Sequence, residues 1–314
     1  MNLSQLRNNQ KKLISIIYNN FDKSLLPHFI FYSYLGARIC YAKTHPLALF
    51  YEEKFQSFEK FKTFLLGLKK AEHYSIFSHT PVFLSLENLS EKDICSLSQN
   101  FFKVFWDTTN NYALFNLRHL AENLDLRDFE NLINFKPELS SIEIKIFKNF
   151  ELLYEGSFLN LPKEFLEEKE DIWAEPEVII IKNKIEHPFN WIGVIAHNFS
   201  RIFSHQFVRH TWLNFNQRSH RYTYTDKFII PSTFKTEHKN IYEKVVKNGL
   251  EVYKNFSKNI KKEDARFIIP QGVATSVLAT GPLFVWEDFI KKRAIPQAQE
   301  EIRKLAHLLK TVLF

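Results

Sequence analysis

The chain has 314 residues, 45% of them apolar and 16% aromatic, enough to bury a sizeable core and to form two domains or one enlarged one. Only 7 Gly and 11 Pro, with no tract of Ser, Gln or Gly, exclude a linker-rich or low-complexity protein. A formal charge of +7 directs the surface towards anions, from a nucleotide phosphate to a nucleic acid, while two cysteines, Cys40 and Cys95, are too few for a disulfide framework or a Cys-based zinc site and fit a reducing cytoplasm.

Residues 1–35 show helical spacing in two pieces, with Leu3, Leu6, Leu13 and Ile17 on one side of the first and a break at Leu26-Pro27. This N-terminal stretch has no unbroken apolar signal-peptide core, so a cytoplasmic location is expected. A helix over 55–70 carries Phe55, Phe58, Phe61 and Leu65 on one face, and His73 to His79 reads as a turn leading into a strand over 82–86. Helices over 92–105 and 113–123 follow, then a hairpin through Asn149, with Ile142, Ile144 and Ile146 alternating on its first arm, and a strand over 178–181. The second half predicts a long apolar-rich helix over 189–207 and further helices over 237–260 and 297–313. The apolar run 272–286 is shorter than the ~18–20 residues that cross a bilayer and contains Pro282, so it is expected to be buried in protein, and no membrane partner is expected. Helices and strands mix without regular alternation, which predicts an α+β fold with helices packed on a mainly antiparallel sheet. The chain has neither a Gly-x-Gly-x-x-Gly nor a Gly-x-x-x-x-Gly-Lys loop, which argues against a Rossmann or P-loop nucleotide site. Neither cysteine has a partnering base nearby in sequence, so thiolate catalysis is not expected, and no metal centre is expected.

The most informative stretch is SHQFVRHTWLNFNQRSHRY, residues 204–222. Gln206, Arg209, His210, Asn214, Asn216, Gln217, Arg218, Ser219, His220 and Arg221 fall there beside Trp212, Phe215 and Tyr222. Arginines donate charge-assisted hydrogen bonds to phosphate and aromatic rings face a planar base, so the window suits a phosphorylated, ring-bearing ligand. The same residue types also suit an exposed basic surface or a platform for single-stranded nucleic acid.

The spacing resembles the signature of the flavin-dependent thymidylate synthases, an Arg-His-Arg triplet followed after seven residues by Ser-x-Arg-Tyr. Here Arg209-His210-Thr211 is followed by Trp212 to Arg218 and then Ser219-His220-Arg221-Tyr222. Ala265-Arg266-Phe267-Ile268-Ile269-Pro270 is similar to the family's Ala-Arg-x-x-Leu-Pro, and residues 289–306 to its Phe-Leu-x-x-Arg and Ala-Gln-x-Glu-Ile. In the first half, Gly36 to Tyr41 resembles Ala-Ala-Arg-x-x-Tyr/Phe, and His73 to His79 resembles His-x-Thr/Ser-x-Phe-Glu-His with Ser78 in place of Glu.

The resemblance implies a family-like fold in which Gln206, Arg209, Ser219, His220, Arg221, Arg266 and Arg293 bind dUMP, with Arg293, Arg266 and Ser219 as the catalytic set. It implies FAD contacts from Arg209, His210, Thr211, Asn216, His73 and Ser75. The family's flavin-holding Asn and Arg before the last arginine are replaced by Pro282 and Phe284, but FNLRHLAENLDLR places Asn116, Arg118, Leu124 and Arg127 at that spacing. Asn116 and Arg118 are therefore further FAD candidates. Glu186 to Trp191 echoes the His73 to His79 turn. The chain is thus read as two diverged copies, 1–150 and 151–314, the second carrying the nucleotide motif; a large insertion is the other explanation of its length.

The implied activity is methylation of dUMP to dTMP, with methylenetetrahydrofolate as carbon donor and NADPH reducing the FAD, in a homodimer or homotetramer. Two rivals stand beside it. A catalytically silent relative would bind dUMP without FAD, as Thr211, Ser78, Pro282 and Phe284 suggest. A basic single-stranded nucleic-acid-binding protein would use the same window as a platform, although nucleic acid is not the expected partner.

Overall fold

The computed structural model describes residues 3–166, 171–187, 189–221, 223 and 226–314. The side chains of Leu3 and Leu6, and the residues Pro188 and Tyr222 invoked above, lie outside the described residues. The chain forms two compact units: Met1–Gly36, Leu49–Ser141 and Asn183–Trp191 make the first, and Ala37–Ala48, Ile142–Lys182 and Ile192–Phe314 the second.

The helices of the first unit are α1 (Leu3–Asn20), α2 (Leu26–Phe29), the start of α3 (Phe31–Tyr41), α4 (Glu53–Gln56), α5 (Phe58–Lys70), α6 (Glu91–Asn100), α7 (Leu117–Asn123) and α8 (Leu126–Leu132). Its three strands are β1 (Pro81–Ser85), β2 (Phe105–Asp107) and β3 (Tyr112–Asn116), in the order β1-β3-β2 and antiparallel throughout. The core is aromatic: Tyr34, Phe55 and Phe61 meet with ring centroids 5.0–5.8 Å apart. Each large apolar side chain buried this way contributes roughly 1.5–3 kcal/mol. Lys69, on α5, runs into this interior and donates from Nζ to the carbonyls of Ala121 and Leu124 at 2.5 and 2.7 Å, supplying partners at the C-terminal end of α7.

Two expectations are corrected in this unit. Residues 113–123 are not one helix: Tyr112–Asn116 is β3, held on both sides by β1 and β2, and α7 starts only after Asn116, whose N–H donates to His119 Nδ1 at 3.3 Å. The helix expected to 105 ends at Asn100, because Phe105–Asp107 is recruited as a strand beside β3. Pairing in the β1-β3-β2 sheet overrides local helical spacing at both places, β3 finding β1 about thirty residues back and β2 in the adjoining hairpin. The turn over Tyr74–His79 is a 3-10 segment, and its echo packs against it: the Trp191 indole donates to the His79 carbonyl at 3.1 Å. His187 lies edge-on to Phe29 and tilted over Phe83, and burial lowers its pKa to about 4.

The second unit contains a six-stranded sheet in the order β5-β4-β6-β7-β9-β8. Its strands are β4 (Ile142–Lys148), β5 (Glu151–Ser157), β6 (Glu177–Asn183), β7 (Trp191–Ser200), β8 (Asn214–Gln217) and β9 (Ala274–Pro282). The pairs β4/β5, β6/β7 and β8/β9 are antiparallel. Its helices are α9 (Arg201–Phe207), α10 (Thr236–Phe256), α11 (Lys262–Ala265), α12 (Leu283–Arg293) and α13 (Glu300–Leu313). The fold is therefore mixed helix and antiparallel sheet, and the hairpin through Asn149 and the strand over 178–181 are present as expected.

The long helix expected over 189–207 is instead β7 followed by the short α9. Nearly every side chain of β7 is buried, so the strand reads as an unbroken apolar run that spacing cannot distinguish from a buried helix. Ser200 ends it by capping α9, its Oγ accepting from the Phe203 N–H at 3.0 Å. The apolar run 272–286 is β9 leading into α12, with all nine residues of β9 buried. Trp286 and Phe289 of α12 close over Phe207 of α9, and the Trp286 indole donates to the Ile192 carbonyl. No described helix is long and apolar enough to cross a membrane.

Candidate nucleotide site

The signature residues hang from a small set of elements in the second unit. Helix α9 carries Gln206 and is followed directly by Arg209, His210 and Thr211; β8 carries Asn216; the segment after β8 carries Ser219, His220 and Arg221; Arg266 follows α11, and Arg293 ends α12. Backbone pairing fixes the segment after β8. The N–H of Arg218 donates to the Ser276 carbonyl at 2.8 Å and that of Ser219 to the Cys40 carbonyl at 2.9 Å. The Ser219 carbonyl then accepts both the N–H and the hydroxyl of Thr223, and its Oγ accepts the Arg221 N–H at 3.3 Å. This tight turn puts two arginines and a serine hydroxyl on neighbouring positions.

Two cationic groupings result. In the first, Arg293 Nε donates to His210 Nε2 at 2.8 Å, with the His210 ring edge-on to Phe289. Burial, and then the nearby Arg293 and Lys292, lower the His210 pKa to about 4, so the ring is neutral and acts as an acceptor for the guanidinium. In the second, His220 is buried beside Arg201, Arg218 and Arg266. Burial first, and those three cations next, lower its pKa to about 4 against the opposing effect of a hydrogen bond to the Ala274 backbone. Its Nε2 is buried without a hydrogen-bond partner among the described residues. Arg221 Nε pairs with Glu263 Oε2 at 2.7 Å, and Arg266 Nε donates to the Glu263 carbonyl at 3.1 Å. The charges of several arginines acting on one neutral imidazole give this part of the segment a positive potential that suits an anion.

Asn216 has turned inward: it is 8% exposed and its Nδ2 donates to Cys40 Sγ at 3.1 Å. Burial raises the Cys40 thiol pKa, which opposes a nucleophilic role. Arg209 and Thr211 are exposed, and Gln206 is half-buried. The four remaining expected residues belong to the first unit. His73 and Ser75 are exposed at the 3-10 turn, where Ser78 Oγ donates to the Ser75 carbonyl; Asn116 is buried at the start of α7; Arg118 is exposed and paired with Glu122 at 2.6 Å, one helical turn away. Two cavities in the second unit, of about 490 and 260 Å³, are lined by Phe150, Trp173, Tyr242 and Glu301 and by His45, Glu177 and His197 respectively, and include none of the signature residues.

Residues 180–313 match the family model described as thymidylate synthase complementing protein, Thy1. That segment carries the similarity to the Thy1 family. It holds every cationic residue of both groupings, and the ordered matches around Arg209, Arg266 and Arg293 all fall inside it. A flavin-dependent thymidylate synthase of Pyrococcus furiosus is 36% identical over 117 residues, 34% of this chain and 48% of that protein. The Thermococcus kodakarensis protein of the same name is 37% identical over 116 residues, and that of Sulfurisphaera tokodaii 29% over 150 residues, 46% of this chain and 58% of its own. The chain spans about half the length of the curated relatives it matches.

Three contributors to the Thy1 segment's anion locus are absent from the sequence-based set. Arg201 opens α9, the helix that presents Gln206, and a lone cation following an apolar run is the signal it offered. Arg218 lies inside the signature window, and its Nη2 donates to the carbonyls of Lys43 and Thr44 at 3.5 and 3.4 Å. Glu263 precedes the Ala265-Arg266 motif by two residues and enters only through its pairing with Arg221.

Proposed function

We propose that the protein is a flavin-dependent thymidylate synthase that methylates dUMP to dTMP, with methylenetetrahydrofolate as carbon donor and NADPH as the source of reducing equivalents. The observation that carries this reading is the anion locus of Arg201, Arg218, Arg266 and the adjacent Arg221 around neutral His220, built on the family's own signature spacing. A phosphate monoester offers several acceptor oxygens to this set of donors and one to Ser219 Oγ.

In this reading Gln206, Arg209, Ser219, His220, Arg221, Arg266 and Arg293 bind the nucleotide. Arg293 and Arg266 polarise the uracil as negative charge develops, and His210 keeps the Arg293 guanidinium in one orientation. The exposed Arg209 and Thr211, on either side of His210, have the donor chemistry to hold FAD, as do His73, Ser75 and Arg118, with Asn116 and Asn216 as the amides. FAD, when bound, supplies the hydride that completes the methyl group. The active species is proposed to be a homodimer or homotetramer, which light scattering on the active protein reads directly.

The deciding experiment is an anaerobic assay for dTMP from dUMP, methylenetetrahydrofolate and NADPH. Arg221→Ala is expected to lose at least about tenfold in kcat/KM, since a charge-assisted contact to phosphate is lost. Arg118→Ala reads the flavin role of the first unit by the same assay. The loss of the family's flavin-holding residues to Pro282, at the start of α12, and Phe284 favours one second reading, a dUMP binder without flavin. Purified protein that stays colourless, without the ~450 nm flavin band after FAD is added, yet binds dUMP, would establish that alternative instead.

A further inference from the structure

Glu263 sits among the cations Arg221, Lys261 and Arg266. Its Oε2 is 2.7 Å from Arg221 Nε and its Oε1 4.0 Å from Lys261 Nζ, while its main-chain carbonyl, not its carboxylate, receives Arg266 Nε. The pair is partly open to solvent, with side chains 52% and 31% exposed for Arg221 and Glu263. Arg221 directly follows His220, on which the charges of Arg201, Arg218 and Arg266 act. A carboxylate is thus bound by a guanidinium at the edge of a cluster built to receive an anion.

We propose that Glu263 is an internal competitor for the nucleotide phosphate: its carboxylate holds Arg221 in the absence of ligand and must yield that guanidinium when a phosphate monoester binds. The inference rests on the nucleotide reading of this site. Phosphate prevails in the exchange because it carries more charge and more acceptor oxygens than a carboxylate. The exchange still costs the original ion pair and sets two like charges near each other, so Glu263 lowers affinity and eases release of a phosphorylated product. Arg266 keeps its main-chain partner throughout, which confines the effect to Arg221.

Glu263→Gln keeps the shape and an acceptor oxygen while removing the charge. Calorimetric titration of the wild type and the variant with dUMP, inorganic phosphate and 2′-deoxyuridine tests the exchange, with thermal melting to confirm that both are folded and Glu263→Ala as a second variant. The expected result is up to about fivefold tighter binding of dUMP and of inorganic phosphate to both variants, the size of a partly exposed ion pair, with 2′-deoxyuridine unchanged. Equal or weaker binding of both phosphorylated probes would overturn the proposal and make Glu263 a brace for Arg221. A wild type that fails to bind dUMP would instead sink the nucleotide reading, while the inorganic phosphate arm still decides what Glu263 does.

Discussion

His210 shows how a single side chain is given its role by its surroundings. An ordinary histidine beside solvent would titrate near neutrality and would repel a neighbouring arginine when protonated. Burial and the Arg293 charge lower its pKa to about 4, leaving Nε2 free to accept from Arg293 Nε at 2.8 Å. Arg293 thereby keeps an orientation that its long, flexible side chain would not hold alone. His210→Ala is expected to reduce kcat for dTMP formation by roughly ten- to a hundredfold with a smaller change in KM, because misorientation acts on the transition state more than on binding. His210→Gln, which can present an acceptor oxygen near the Nε2 position, is expected to recover part of that loss, and equal losses in both variants would remove the positioning role.

Among the elements, α9 is the short helix on which the signature depends, and it is held at its first residue. Ser200 caps it by accepting from Phe203 N–H and also donates its hydroxyl to Glu301 Oε2, while its own N–H donates to Glu301 Oε1 at 2.9 Å. Gln299 adds another donor to the same carboxylate, and burial raises the Glu301 pKa against these contacts. One serine therefore joins the end of β7, the start of α9 and the start of α13. Ser200→Ala is expected to cost about 1–2 kcal/mol in chemical denaturation through the lost cap, and more if the buried carboxylate is left short of a donor. A loss below about 0.5 kcal/mol would mean that the cap does not hold α9 in place.

For the whole molecule, acid lability follows from three histidines withdrawn wholly or partly from solvent, one in the first unit and two in the second. His187, His210 and His220 each have a pKa lowered to about 4 from an ordinary value of 6.5, in every case chiefly by burial. The unfolded chain therefore binds more protons than the folded one between these values. The stability this contributes is fully present above about pH 6.5 and is lost as pH falls through the window towards 4. Thermal melting is expected to show a falling midpoint over that interval, and His220→Asn to flatten the slope. A midpoint independent of pH between 6.5 and 4 would show that these rings are not held neutral.

The sequence by itself determined the family resemblance, because motif spacing between Arg209, Ser219, Arg221, Arg266 and Arg293 is a property of the chain that needs no coordinates. It also determined the elements whose partners are close by, such as the β4/β5 hairpin and the amphipathic α5 and α13. Where a segment is buried on all sides or borrows its hydrogen bonds from far away, local pattern had nothing to discriminate with. That is why β7 read as a helix and why β3 was hidden inside one. Only the tertiary structure decided which donors meet: Arg293 finds His210, Arg221 finds Glu263, and Arg201 joins His220 from the start of another element. Such pairings depend on charge and burial summed over residues distant in sequence, and those quantities exist only once the chain has folded.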